Sequence, residues 1–127
     1  MAVAGGPSFT MVAAVSLAAY QHHIVTLNTS GLVKLANNAD VVLEPLFILL
    51  NAPLAGGEAE LALPNSIAKV VLEDTVEEGA SITCNGNSHG IGTTTGGDWC
   101  VGIALEAGVS GETIKILVTL GPYYVVP

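Results

Sequence analysis

Three groups of side chains in the sequence carry residue types that can support chemistry, and the first is a pair of histidines. His22 and His23 are adjacent and open a β-branched run. Neighbouring residues on a strand point to opposite faces, so these two imidazoles cannot bind one metal ion together. A tetrahedral zinc site needs further Cys or His residues at suitable spacing. The pattern therefore predicts no metal site at this pair.

A second group contains the residue types of a hydrolase triad. Ser88, His89 and Asp98 lie in or beside a glycine-rich stretch, Gly86 to Gly97. The stretch has no G-x-S-x-G nucleophile elbow, and it lacks the GK pair of a phosphate-binding loop. A solvent-exposed turn accounts for these residues better than a catalytic site does.

The third group consists of acidic residues. Glu58 and Glu60 are close in sequence, and four more acids flank a short loop: Glu73, Asp74, Glu77 and Glu78. The four lack the D-x-D-x-D-G spacing of a calcium loop. Glycosidases can assemble carboxylate pairs from distant parts of a chain, so the spacing of these acids does not exclude a glycosidase-type pair. We interpret the acids as solvated charges, and we expect no catalytic residue, no cofactor and no bound metal.

The composition restricts the partners that the chain can bind. The 127 residues fit one domain. Half of the residues are hydrophobic and only 11% are charged, against about 25% in ordinary soluble domains. There are eleven acidic residues, three lysines and no arginine, for a net charge of −8. Nucleic acids and anionic membranes both require a basic footprint, so we expect neither as a partner.

The cysteines do not match a redox motif, and the apolar segments match neither a secretion signal nor a membrane span. Cys84 and Cys100 do not form a CxxC pair, and we interpret them as small buried residues, with a disulfide as the alternative. The segment from Met11 to Ala19 has no basic residue before it, so it does not match a secretion signal. No apolar run reaches the 18 residues that a membrane span needs.

The elements that must position these residues are strands. β-Branched and alternating runs separated by Gly, Asn and Pro turns predict an all-β fold. The second half repeats the first about 55 to 57 residues later; Ser81 to Asn85, for example, repeats Ile24 to Asn28. We predict a compact sandwich or small barrel of two similar β-meanders, with an extended N-terminal arm. The boundaries are an arm over 1–20, a β domain over 21–120 duplicated at about 21–72 and 79–120, and a tail over 121–127.

The two ends of the chain are the candidates for binding a partner. The arm is uncharged and apolar, and only residues 9–20 of it could hold a short helix. Ordering nineteen residues costs more than a few apolar anchors return, so we expect the arm to be mobile until it meets a partner. The tail contains two adjacent tyrosines, which suit an interface or the domain's own surface. The predicted partner-binding residues are Phe9, Met11, Val12, Val15, Tyr20, Tyr123 and Tyr124.

Several segments, in order along the chain, resemble a family of tailed-phage capsid cement, or decoration, proteins. Residues 99–118, which read WCVGIALEAGVSGETIKILV, are similar to the closing motif of that family. LAAYQ at 17–21 with the following VTL and GLV is similar to its opening, and LNAPLAGGEA at 50–59 to its central turn. The chain departs from the family at Pro45-Leu46-Phe47, where a Gly-Val is common, and in the residues before Leu17 and after Leu120.

The resemblance implies a structural role without catalysis. Proteins of this family bind the outer surface of assembled capsids across contacts between major capsid proteins, and they stabilise the shell. It therefore implies a virion protein, made in the host cytoplasm, whose partners are the major capsid protein and further copies of itself. A trimer at three-fold or local three-fold positions is favoured over a dimer. The alternative is a carbohydrate-binding β-sandwich on a virion or cell surface, which would expose several aromatic side chains on one face.

Overall fold

A computed structural model describes residues 8–36, 45–85, 87–94 and 96–122, and every regular element in these ranges is a β-strand. The strands are β1 (Ser8–Val12), β2 (Ile24–Leu27), β3 (Val33–Leu35), β4 (Phe47–Ile48), β5 (Glu58–Ala62), β6 (Ile67–Val71), β7 (Ser81–Cys84), β8 (Gly90–Thr93), β9 (Trp99–Ala104) and β10 (Thr113–Pro122). They form three antiparallel sheets and no closed barrel, which confirms the all-β prediction and is consistent with a sandwich. Within the described ranges, no helix could cross a membrane.

The strands pair in the same order in the two halves of the chain. The second half forms one sheet in the order β6-β10-β9-β7-β8. The first half forms a β1-β5 ribbon and a β3-β2-β4 sheet. They are joined by an antiparallel bridge between Leu49 and Leu61 and by a parallel bridge between Ala13, directly after β1, and Val33 in β3. Leu49 directly follows β4 and Leu61 lies in β5, so the first half has the order β1-β5-β4-β2-β3. We call β1–β5 repeat 1 and β6–β10 repeat 2.

The backbone of the two repeats also follows the same path between the strands. The N–H of His22 donates to the carbonyl of Leu49 at 2.8 Å. At the equivalent place in repeat 2, the N–H of Gly79 donates to the carbonyl of Ala104 at 2.8 Å. Eight residues with positive φ fall into four equivalent pairs: His22 and Gly79, Gly31 and Ser88, Gly56 and Gly111, and Asn65 and Leu120.

An asparagine shapes the same turn in each repeat. Asn28 follows β2, and its Oδ1 accepts hydrogen bonds from the backbone N–H groups of Ser30 and Leu32, at 2.9 and 3.0 Å. Asn85 follows β7 and accepts the corresponding two bonds, from the residues two and four positions ahead. Asparagine favours such turns because its side chain can replace a backbone acceptor. We call these segments, 28–32 and 85–89, the Asn turns of repeats 1 and 2.

The described part of the N-terminal arm belongs to the domain. β1 pairs antiparallel with β5, as β6 pairs with β10, so β1 is the first strand of repeat 1. The arm is extended as predicted, and residues 8–20 contact the rest of the fold; that the arm is mobile until it meets a partner stays a prediction. Backbone hydrogen bonds to β5 hold β1 in place, and Leu17 is fully buried. Residues 1–7 lie outside the described ranges.

Two local expectations were wrong. The sequence allowed a short helix within residues 9–20, whereas the structure has strand β1 and turns there. The glycine-rich stretch 86–97 was interpreted as a loop, yet it contains β8. Gly90 explains this strand, because a Cβ at that position would lie 3.0 Å from Ile82 Cγ2 and 3.2 Å from Val70 Cγ2. Close packing over the backbone therefore favours glycine at a place where strand propensity alone disfavours it.

The buried side chains form two clusters, one with residues from repeat 1 alone and one with residues from both repeats. The smaller cluster consists of residues from repeat 1 alone: Ala13, Leu17, Val25, Val33, Leu49, Ala59 and Leu61. The larger cluster contains the core of repeat 2 and, in addition, side chains from repeat 1: Ile24, Ala36, Leu46, Ile48 and Ala62. Ile24 and Val25 are consecutive, so β2 sends one side chain into each cluster. Repeat 2 thus covers the outer face of the β2–β4 sheet.

Two of the three lysines lie side by side at one edge. Lys69 on β6 is the direct cross-strand partner of Lys115 on β10, and both side chains are exposed. β6 is an edge strand of the five-stranded sheet. Directly opposed like charges are destabilising on a sheet, so this pair is not explained by the stability of the isolated domain.

The packing of Leu17 gives a test of whether the arm is part of the core. Replacing Leu17, which has 0% exposure, with alanine should lower the free energy of unfolding by about 2–5 kcal/mol because it leaves a cavity. The matched control is Leu54→Ala, at a side chain that is 68% exposed, where a change within about 0.5 kcal/mol is expected. Urea denaturation of the full chain measures both. Equal effects of the two substitutions would show that Leu17 is not packed in the free protein.

Candidate interaction surfaces

The predicted partner-binding residues on β1 alternate between packed and exposed positions. Phe9 and Met11 are half-buried and pack against the smaller cluster. The ring of Phe9 meets Phe47 edge to face, with centroids 5.6 Å apart. Val12 is 43% exposed. Because β1 is an edge strand, Phe9 and Met11 cover the rim of their own core and also border open solvent.

Val15 lies in a loop that is tied to the central turn of repeat 1. The N–H of Leu17 donates to the carbonyl of Pro53 at 2.8 Å, and the N–H of Gly56 donates to the carbonyl of Ala13 at 2.9 Å. These bonds hold residues 13–17 against residues 53–56. Val15 and Leu54 point outward from the two joined segments, with exposures of 50% and 68%.

Repeat 2 presents an apolar side chain at the tip of the equivalent turn. The N–H of Gly57 donates to the carbonyl of Leu54, and the N–H of Glu112 donates to the carbonyl of Val109. Leu54 and Val109 are therefore equivalent, and Val109 is 52% exposed. We call Val15, Leu54 and Val109 the apolar loop tips.

The outer faces of the two repeats differ in what covers them. In repeat 1, Ile24 and Ile48 are completely buried in the larger cluster. The strand pairings make Ser81 the equivalent of Ile24, and Ile103 the equivalent of Ile48. Ser81 is half-buried and Ile103 is 37% exposed. No described part of the chain covers the outer face of repeat 2 as repeat 2 covers that of repeat 1.

A cavity of about 310 Å³ marks the uncovered face. Its lining comes from the start of β7 with the two residues before it, and from the end of β8 with the residue after it: Gly79, Ala80, Ser81, Gly92, Thr93 and Thr94. At the equivalent place on repeat 1, the Asn turn of repeat 2 is inserted. There the N–H of Ile24 donates to the carbonyl of Ser88 at 2.8 Å, and the Ser88 hydroxyl donates to the carbonyl of Ala36.

Ser88 and Asp98 do not form the triad that their residue types suggested. Ser88 is only 2% exposed, so the expectation of a solvent-exposed turn was wrong at this residue. Its hydroxyl is used by Ala36, and Asp98 accepts a hydrogen bond from the Thr93 hydroxyl at 2.8 Å. The physical reason is the contact between repeats, which buries Ser88 within the Asn turn of repeat 2.

His89 instead meets His23 and Glu73, a group that the sequence analysis missed. Its Nδ1 lies 2.6 Å from Glu73 Oε1, and its Nε2 lies 3.1 Å from His23 Nε2. Tyr20 packs edge to face on His23, with ring centroids 5.2 Å apart. Tyr20, His23 and His89 border a cavity of about 420 Å³, whose other lining residues are Leu35, Ala36, Asn87 and Ser88. We call His23, Glu73 and His89 the junction cluster.

The titration of these groups follows from their surroundings. Burial is the main cause that lowers the pKa of His23, and the charge of His89 lowers it further. The hydrogen bond from His89 is the main cause that lowers the pKa of Glu73. The pKa of His22 is also lowered, chiefly by burial and then by Lys69. At neutral pH the Glu73 carboxylate is therefore ionised, and the lowered pKa values of His22 and His23 make these two imidazoles harder to protonate than a free histidine.

The tyrosines predicted to bind a partner, and the single tryptophan, do not form an exposed surface in the described ranges. Tyr20 is half-buried against the smaller cluster. Tyr123 and Tyr124 lie outside the described residues. The Trp99 Nε1–H donates to the carbonyl of Leu46 at 3.1 Å, and its ring packs on the larger cluster. The aromatic side chains of the described ranges are therefore engaged with the cores and do not form a flat exposed platform.

The comparisons with known proteins rest on structure alone. No protein-family profile matches the chain, and no curated protein matches it by sequence. The fold is similar to the crystal structure of the N base of head fibre gp8.5 of bacteriophage phi29. The similarity covers 88% of this chain and 92% of that one, with a TM-score of 0.62 and 15% sequence identity. This chain thus shares the fold of a phage structural protein.

The cysteines provide a test of burial that does not depend on any partner. Both are free and buried, as the sequence interpretation expected. Burial raises the pKa of Cys100 to about 11, with a further contribution from Asp98, so its thiolate fraction at pH 8 is about 100-fold below that of an ordinary cysteine. In native protein we expect negligible labelling by a thiol reagent at pH 8, with two thiols labelled in denaturant. Rapid labelling of the native protein would contradict this packing.

Proposed function

We propose that this chain is a capsid cement, or decoration, protein that binds the outer surface of a phage head across contacts between major capsid proteins. The observation that carries the proposal is the shared fold with the N base of a phage head fibre, which extends over 88% of the chain. The sequence segments that resemble cement proteins support the same conclusion independently. In this proposal no residue is catalytic, and the protein acts by reinforcing contacts between neighbouring capsid subunits.

The pattern of charge supports a protein partner over the alternatives. The chain has three lysines and no arginine, and its net charge is −8. A phosphate backbone or an anionic membrane would be repelled by such a surface. A capsid shell can present a fixed protein surface of complementary charge, and acidic residues then help to select and orient the partner.

We further propose that copies of the chain associate head to tail. Within one chain, the Asn turn of repeat 2 inserts beside β2 of repeat 1, and Ile24 and Ile48 are buried at that contact. Repeat 1 has its own Asn turn, and repeat 2 has its own open cavity and its own Ile103 at the equivalent positions. A second copy can therefore use the Asn turn of its repeat 1 to cover the outer face of repeat 2.

A contact of this type either closes into a ring or grows without limit. Three copies contribute six repeats, and a ring of six similar units matches a three-fold or local three-fold position on a capsid. We therefore propose a trimer, with a dimer at two-fold positions as the alternative.

The apolar loop tips are the proposed capsid-facing surface. Repeats related by rotation about one axis present equivalent loops on the same side of the ring. Leu54 and Val109 are equivalent, so each trimer would place six apolar tips towards one surface, with Val15 beside each Leu54. Many weak contacts become strong when they are made together, because each is held at high effective concentration by the others.

The head-to-tail contact can be tested at Ile103. Ile103→Asp places a charge at the proposed contact and should convert the oligomer to a monomer, since an unpaired carboxylate is costly to bury. The matched control is Ile67→Asp, at a side chain that is 66% exposed and lies on the other edge of the sheet. Analytical ultracentrifugation of the full chain measures the mass. A wild-type monomer, or an oligomer that survives Ile103→Asp, contradicts the proposed contact.

Capsid binding is tested separately by the double variant Leu54→Asp/Val109→Asp. It should remain folded and oligomeric but lose at least tenfold in affinity for empty shells of the cognate major capsid protein, because two exposed anchors at the interface centre are removed. Ile67→Asp again serves as the control, at the far end of β6 from these loops. Co-sedimentation with shells and imaging of the particles measure occupancy. Full occupancy by the loop variant would exclude these tips as the capsid-facing surface.

A further inference from the structure

The junction cluster lies where three backbone segments are tied together. The N–H of Ile24 donates to the backbone carbonyl of Ser88 at 2.8 Å. The N–H of Glu73 donates to the carbonyl of Gly90 at 3.0 Å, and the N–H of Val71 donates to the carbonyl of His22 at 3.1 Å. These bonds link the start of β2 in repeat 1 to the end of β6 and the start of β8 in repeat 2. His23, Glu73 and His89 are therefore held by the fold itself and not by mobile loops.

The hydrogen bonds at the outer nitrogens fix the tautomer of each imidazole. Nδ1 of His23 lies 3.2 Å from the backbone carbonyl of Gln21, which can only accept a hydrogen bond. Nδ1 of His89 lies 2.6 Å from Glu73 Oε1, a carboxylate that accepts when it is ionised. Both Nδ1 atoms therefore carry the proton in the neutral rings, and both Nε2 atoms are left with lone pairs.

The two lone pairs face each other across a short gap. His23 Nε2 and His89 Nε2 are 3.1 Å apart, which is repulsive unless a positive charge lies between them. The ring centroids are only 4.8 Å apart and the ring planes are tilted by 47°, so the rings do not point straight at one another. This geometry is poor for a linear N–H···N hydrogen bond, and it suits two ligands of an ion that lies to one side of the line between the nitrogens.

The distances match those of a known type of site. Two imidazole nitrogens that bind a tetrahedral zinc ion at about 2.0–2.1 Å lie about 3.3 Å apart. A carboxylate and a backbone carbonyl at the two Nδ1 atoms are also the usual partners of metal-bound histidines, since they orient the ring and raise its basicity. The chain thus supplies two ligand atoms together with the groups that support them.

From this arrangement we infer that the junction cluster binds a divalent transition-metal ion of the zinc type through His23 Nε2 and His89 Nε2. The described residues include no group of three or more His, Cys, Asp or Glu side chains placed around one ion, so water or a group from a neighbouring protein completes the coordination. Since one ligand comes from each repeat, the bound ion fastens repeat 1 to repeat 2. The equivalent positions, Ala80 and Leu32, carry no ligand, so each chain holds one such site.

The site is tested by titrating untagged, metal-free full-length protein with Zn²⁺ in a calorimeter. We expect one ion per chain, and we expect His23→Ala and His89→Ala each to weaken binding by at least 100-fold. Glu73→Gln keeps both ligands but replaces the carboxylate, and a loss of about 10–100-fold is expected. Circular dichroism of each variant checks that the fold is retained.

His22→Gly is the matched control. It removes an imidazole from the adjacent residue, and glycine suits the φ of +69° at that position, as Gly79 does at the equivalent place in repeat 2. Zinc affinity should be unchanged in this variant. Absence of binding by the wild-type protein up to millimolar Zn²⁺ overturns the inference, and so does binding that persists in the double variant His23→Ala/His89→Ala.

Discussion

The burial of the outer face of repeat 1 under repeat 2 is the interaction on which the rest of the structure depends. Ile24 and Ile48 have no exposed surface and belong to the same cluster as the core of repeat 2. Each such side chain contributes about 1.5–3 kcal/mol on burial. A five-stranded unit of this size has only a marginal core of its own. The contact between repeats therefore makes one domain out of two units that are each too small to be robust.

The same contact determines where polar side chains meet. The Asn turn of repeat 2 enters the space beside β2, which buries Ser88 and brings His89 next to His23. Those two histidines are far apart in the sequence and belong to different repeats. The geometry of the junction cluster is therefore a property of the association of the repeats, and neither repeat contains it alone.

The sequence predicted the all-β fold and many of the turns between its strands, because alternating polar and apolar residues, β-branched residues and turn residues act locally. It missed β1 and β8, which depend on partners distant in the chain: β1 is completed by β5, and β8 requires Gly90 to fit under Ile82 and Val70. The junction cluster could not be found by spacing, since its three members come from three segments. A usable signal was the repeat itself, because His22 occupies the position of Gly79, and both residues have the positive φ of a tight turn shortly before the next strand.

The lysine pair at the sheet edge has a consequence for how the chain avoids the wrong kind of association. An uncovered edge strand with an apolar residue such as Ile67 invites other strands to add to it, which leads to aggregation. Lys69 and Lys115 lie in register at this edge, so an added strand would have to bury or oppose two adjacent ammonium groups. Two of the three lysines of the chain thus lie together at one edge. Their mutual repulsion lowers the stability of the domain, but it also hinders the addition of further strands to the sheet.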